Sequence, residues 1–335
     1  MVRHYLSNLR ILGTFCVILL HIVAKYVLLY KDLPSNLWNS ANFIDAAVRF
    51  CVPVFLMISG AVLLGKDESL AVFLGKRFKR ILYPFIIWNL FYFFFFFDYS
   101  LFSPIGFARG FVKAMFVGAA YHFWYIYMIL GVYLFIPIIR KWTIVCTQKE
   151  CVYFLGIWAV TLAIPSFARQ YFPAIELMYF SKYIGYLILG FYLDKFVVTQ
   201  KSKIWIYVLI FIAGFVTTFY PTYYFTNKTG ELYELFYEIL TPNVMLMAVG
   251  LFLFFKQIMK NTNEFLINLD KCSYGVYLIH VFVLHWFFQF FELSKAGSAY
   301  LFFLYAVLSA LGVFLYSTAI IFLLSKIKPI KSFIT

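Results

Sequence analysis

The stretch "LRILGTFCVILLHIVAKY", residues 9–26, is apolar enough to cross a bilayer, yet it holds Arg10, His21 and Lys25. A helix turns ~100° and rises ~1.5 Å per residue, so eleven residues bring Arg10 and His21 to within ~20° of each other and ~16 Å apart along the axis. Thr14 and Val17 lie between them on the same stripe, and Lys25 continues it outward. Whatever this stripe touches meets a positive group at one end and a titratable ring deep inside.

The rest of the chain agrees with a membrane setting. Of its 335 residues 64% are hydrophobic and only 13% charged, against about 25% charged in soluble domains. Apolar stretches long enough to span hydrocarbon recur at 9–29, 42–64, 79–97, 121–139, 150–168, 177–194, 204–221, 237–256, 272–291 and 300–324. The expected fold is all-α, a polytopic integral membrane bundle of about ten transmembrane helices. The first span carries ionisable residues and no clear small-residue cleavage site, so it reads as a retained helix and not a removed signal peptide. No linker, repeat or low-complexity tract marks a second domain, and the expectation is one transmembrane domain over 1–335 with no appended soluble domain.

The net charge of +14 does not point to nucleic acid, because its distribution follows topology. With the N-terminus inside, nineteen of the 28 Lys and Arg fall in cytoplasmic segments, eight fall outside and Arg49 lies within a span. Orientation follows Lys and Arg, so both termini are expected in the cytoplasm. The cysteines Cys16, Cys51, Cys146, Cys151 and Cys272 show no metal-type spacing and imply no disulfide framework. No metal is expected.

Ionisable groups inside spans are costly and usually face a cavity or a partner. Arg10 alone reads as an inside-positive anchor, and His21 alone could serve a structural hydrogen bond. Aligned, they suit an elongated ligand with an anionic cytoplasmic end and a reactive end within the membrane, which is the shape of coenzyme A. In "KRFKRILYPFIIW", 76–88, Arg77 and Arg80 sit on neighbouring helical positions. Such a cluster can simply fix topology, but paired guanidinium forks also suit phosphate oxygens. Pro84 permits a bend, and Trp88 can supply a flat wall.

In "VPVFLMISG", 52–60, Pro53 predicts a kink, while Ser59 and Gly60 read first as close helix packing. Asp45 and Arg49, four apart, read as structural neutralisation. "YHFWYIY", 121–127, places His122 beside Trp124 and Tyr125, either an aromatic belt or a sugar platform. In "SYGVYLIH", 273–280, Ser273, Tyr277 and His280 share a helix face. Two deep histidines favour a polar cavity without establishing catalysis.

In this order and placement, "LRILGTFCVILLH", "VPVFLMISG", "RFKRILYPFIIW", "YHFWYIYMILGVYLFIPII", "YIGYLILGFYL" and "SYGVYLIH" resemble the membrane acyltransferase-3 family. The likeness is greatest to its bacterial branch that O-acetylates enterobacterial common antigen. The resemblance implies a multi-pass protein of the inner (plasma) membrane, surrounded by lipid, that moves acetyl from acetyl-coenzyme A to a glycan hydroxyl, with the glycan lipid-linked or at the cell surface. It matches Arg10 and His21 to the family's first-helix pair, and Arg77 and Arg80 to its cytoplasmic arginine pair.

On that reading Arg10, Arg77, Arg80 and Ser59 bind the donor, and Trp124, Tyr125 and Tyr277 contact substrate. His21, with His122 and His280, is the catalytic group, acting as general base or as covalent carrier. A transporter or flippase of a lipid-linked glycan or acyl carrier would also need a polar intramembrane path, and a noncatalytic scaffold fits the aligned ionisable groups least. Self-association into a homo-oligomer is left open.

The orientation has a direct test. On a functional background depleted of native cysteines, an impermeant thiol reagent applied to intact cells should label a cysteine at Thr229 and not one at Ser7. The reverse pattern inverts the topology.

Overall fold

Prolines and glycines decide where these apolar stretches bend and where they touch. The computed structural model describes residues 3–99, 103–167, 182–261, 263–290 and 292–327, and among the described residues it is all helix and connecting turns. In chain order the helices are α1 (His4–Leu28), α2 (Ser35–Val48), α3 (Cys51–Leu63), α4 (Leu70–Arg77), α5 (Tyr83–Phe96), α6 (Pro104–Val117) and α7 (Trp124–Val145). They continue as α8 (Gln148–Phe167), α9 (Ile184–Lys195), α10 (Ile204–Thr229), α11 (Pro242–Ile258), α12 (Glu264–Phe290) and α13 (Ala299–Leu324).

Among the described residues six helical stretches are long and apolar enough to cross a membrane: His4–Leu28, Ser35–Leu63, Tyr121–Val145, Lys201–Thr229, Leu235–Ile258 and Ala299–Leu324. The expected span at 177–194 lies partly outside the described residues, and its described part is α9. The span expected at 42–64 starts earlier, at Ser35, and is interrupted at Arg49–Phe50. Pro53 explains the interruption: it lacks an N–H, and its ring clashes with the carbonyl four residues back, which is that of Arg49.

Pro84 acts in the same way on the carbonyl of Arg80. There the chain widens into a π-helical turn, Phe78–Leu82, closed by the Tyr83 N–H on the Phe78 carbonyl, the usual form of a local bulge inside a helix. The expected bend is therefore a π turn that carries Arg80 between α4 and α5.

Helix α1 occupies the centre, packed by α2, α3, α11, α12 and α13, and Leu9, Ile18, Ile22 and Val23 are fully covered. A helix apolar all round belongs in such a position. The outward faces of α10 and α13 instead leave Leu209, Val216, Tyr220, Leu308, Leu315 and Tyr316 exposed, surfaces that suit lipid. At the start of α1, Tyr5 bonds to Asp194, and Arg3 pairs with the same carboxylate at 3.0 Å. Lys256 donates to the carbonyls of Leu193, Asp194 and Val197 at 2.7–2.8 Å, satisfying the open carbonyls that end α9.

Helices α3 and α9 approach backbone to backbone. A Cβ on Gly60 would lie 1.8 Å from the Leu187 carbonyl oxygen, and one on Gly190 would lie 2.0 Å from that of Met57. The packing reading of "ISG" holds for Gly60. Gly60→Ala should thus destabilise the bundle by at least the ~1–3 kcal/mol typical of overpacking, read as a lower Tm in detergent. Gly131→Ala, whose added carbon meets nothing within 4 Å, is the control and should leave Tm near that of the wild type.

Candidate active site

The stripe on α1 is the axis of the site. Arg10 and Thr14 line a cavity of ≈ 190 Å³ together with Phe55 and Ser59 of α3, Arg77 and Arg80, Tyr125 and Tyr133 of α7, and Asp270, Ser273, Tyr274 and Tyr277 of α12. Further along α1, His21 leaves the cavity and joins two other histidines. Its ring stacks on that of His280 at 5.3 Å, and His280 lies 5.0 Å from His122. The edge of Tyr121 meets His21 at 5.0 Å. Of the stripe, Arg10 and Thr14 line the cavity, whereas His21 belongs to the histidine cluster beyond it.

At the mouth, Arg77 and Arg80 enter no ion pair among the described residues. The Arg77 guanidinium lies over the rings of Phe73 and Tyr133 at 5.3 and 5.9 Å, and its Nε is buried without a hydrogen-bond partner. Arg10 differs, because it is ion-paired to Asp270. The sequence reading had named no partner for Arg10. Asp270 lies three residues before Ser273 and seven before Tyr277, on the face already singled out, and that spacing was the available signal. Ser59 Oγ and the Tyr133 hydroxyl are 3.1 Å apart, and the Tyr274 hydroxyl donates to the Ile81 carbonyl at 2.9 Å, tying α12 to the π turn.

The histidines are held mainly through backbone. His280 Nδ1 is 2.6 Å from the Tyr277 carbonyl, and a carbonyl can only accept, so Nδ1 carries the proton and Nε2 presents a lone pair. That Nε2 is buried without a partner. Tyr277 donates its hydroxyl to the His122 carbonyl. Neither His122 ring nitrogen has a hydrogen-bond partner among the described residues.

Tyr92 of α5, absent from the sequence reading, inserts its hydroxyl into α12. It donates to the Leu278 carbonyl at 3.0 Å and accepts from the Phe282 N–H at 2.8 Å, bridging two residues one turn apart beside His280. His122 and His280 are nearly fully covered, at 1% and 0% exposure, whereas His21 is only half-buried. Of the three rings, His21 is the least covered. Trp124 does not join them: it is 40% exposed, and its described ring contact is with Tyr125 at 6.2 Å.

A family model described as an acyltransferase domain matches residues 3–325. The chain belongs to the acyltransferase-3 family. No curated protein and no solved structure matches it. With the family in place, the apolar helices and the enclosed polar site are those of a membrane acyltransferase.

Glu68, between α3 and α4, holds the arginine-bearing segment in place. It pairs with Lys76, lies 3.7 Å from Arg140, and takes an Arg140 hydrogen bond on its carbonyl. The Lys76 ammonium keeps the Glu68 carboxyl below its ordinary value of 4.5. A carboxyl depressed in the folded state stabilises above its unfolded value, and that contribution is lost as pH falls through the folded one. Glu68→Gln should therefore lower Tm at pH 7, and the gap from the wild type should close as both are acidified below the ordinary glutamate range.

Proposed function

We propose that this acyltransferase moves acetyl from cytoplasmic acetyl-coenzyme A to a hydroxyl of a lipid-linked or cell-surface glycan, of the kind represented by enterobacterial common antigen. On this reading the chain sits in the inner membrane with ten spans and both termini cytoplasmic. The observation that carries the proposal is the order of groups beside α1: Arg77 and Arg80, without carboxylate partners among the described residues, line the cavity with Arg10, aromatic walls follow, and the half-buried His21 lies further along the helix. Guanidinium groups of this kind suit the coenzyme's phosphates, and a narrow aromatic cavity suits its pantetheine arm.

Arg77 and Arg80 bind the phosphates. Arg10, its charge shared with Asp270, orients them and carries less of the affinity. His21 takes the proton of the acceptor hydroxyl as that oxygen bonds to the thioester carbonyl carbon. The carbon–sulfur bond then breaks, and the departing thiolate takes up the proton from His21. His280, with its proton fixed on Nδ1, stacks against His21 and holds its ring, while His122 and Tyr277 hold His280.

Purified protein in detergent should release free coenzyme A from acetyl-coenzyme A when the acceptor glycan is present. His21→Ala should lower transfer by the ~10²–10⁴-fold typical of a lost general base, with donor binding largely kept. Arg77→Gln with Arg80→Gln should do the reverse, weakening donor binding by about 1.5–3 kcal/mol per lost charge-assisted contact. Full transfer by a well-folded His21→Ala protein would remove His21 from the mechanism.

A further inference from the structure

Three of the rings that line the cavity stand in a row. Phe55 meets Tyr125 at 6.1 Å, and Tyr125 meets Tyr277 at 5.6 Å. Only Tyr277 continues to the histidines, at 5.4 Å from His122 and 5.7 Å from His280. The row therefore has two ends of different chemistry. One end is polar and leads to the reacting groups, and the other, at Phe55, is wholly apolar.

Phe55 is also confined from behind. It packs on Gly13 of α1, where an added Cβ would lie 3.0 Å from the Phe55 Cζ. Gly13 immediately precedes Thr14, which lines the cavity, so the α1 stripe and the Phe55 ring enclose the same corner. A thioester whose carbonyl turns toward Tyr277 and the histidines has its acyl tail turned toward this corner.

We infer that Phe55, set by the absence of a side chain at Gly13, determines the length of acyl chain the enzyme transfers. This rests on the donor reading proposed above. The class of substrate it specifies is a coenzyme A thioester of a very short acyl group. A ring fixed against a helix backbone excludes added methylenes sterically, and one methylene in a tight apolar pocket is worth about 10–200-fold in kcat/KM.

The test compares acetyl-, propionyl- and butyryl-coenzyme A as donors, with coenzyme A release and acyl-glycan formation as readouts. Phe55→Ala should raise the butyryl-to-acetyl ratio of kcat/KM by at least about tenfold. Phe55→Leu should chiefly favour propionyl. Gly13→Ala pushes the ring into the cavity and should move the ratios the opposite way, with propionyl suffering more than acetyl. Coenzyme A binding and Tm establish that each variant is folded. If Phe55→Ala fails to fold, the opposite shifts of Phe55→Leu and Gly13→Ala decide the matter. Unchanged ratios in folded variants, with the wild type active on acetyl-coenzyme A, overturn the inference alone. A wild type that turns over none of these donors overturns the donor reading with it.

Discussion

Three imidazole rings inside an apolar bundle must be held chiefly by other rings and by main-chain groups, and the site is arranged around that constraint. Water is scarce at this depth, and an unsatisfied polar group costs several kcal/mol. The bundle answers with its own backbone. The Tyr277 carbonyl fixes the His280 proton, the His122 carbonyl takes the Tyr277 hydroxyl, and Tyr92 bridges Leu278 and Phe282 of α12. Each tie joins a side chain of one element to a backbone group, so the ring positions depend on how the helices dock. That explains why α1 lies at the centre: only a helix wrapped by five others can carry His21 into contact with α12 and with the turn before α7 together.

Backbone irregularity does comparable work at the other end of the site. An unbroken helix through residues 70–96 would continue 3.6-residue spacing from Arg77 past Arg80. The π turn required by Pro84 adds a residue to that circuit and presents Arg80 differently, beside the mouth that Arg77 already lines. At Pro53 the same chemistry ends α2 at the residue whose side chain pairs with buried Asp45. Breaks of this sort are tolerated within a membrane only where neighbouring groups or a cavity can satisfy the freed carbonyls. The two breaks lie beside charged residues, Asp45 and Arg49 at the first and Arg77 and Arg80 at the second.

What could be read from the sequence was what repeats along one helix. Arg10, Thr14 and His21 share a stripe because 3.6-residue periodicity is local, and the face of Ser273, Tyr277 and His280 follows by the same rule. Gly60 was legible as a packing residue, though its partner on α9 was not. The pairing of Arg10 with Asp270 crosses 260 positions, and no periodicity encodes it. Phe55, Tyr92 and Tyr133 were hidden for a different reason. In a chain with 44 Phe and 27 Tyr, an aromatic residue carries almost no information until its neighbours are known. Trp124 shows the converse, since adjacency to His122 in sequence sends its ring outward once α7 begins.

On the proposed reading, in which donor and acceptor come from opposite sides of the membrane, the separation of cavity and histidines has a consequence for the transfer. A donor arriving from one side and an acceptor from the other need a common reacting point, but a continuous channel between them would pass protons and let water attack the thioester. Tyr277 borders both compartments and is bonded to neither a carboxylate nor an arginine; its hydroxyl rests on a main-chain carbonyl. Such a bond is worth only about 0.5–1.5 kcal/mol net, small enough for a bound donor to displace. On the donor reading proposed above, a barrier that yields to substrate and otherwise stays shut needs a weak latch on a large ring, and Tyr277, lining the cavity and touching the His122 and His280 rings, has that form.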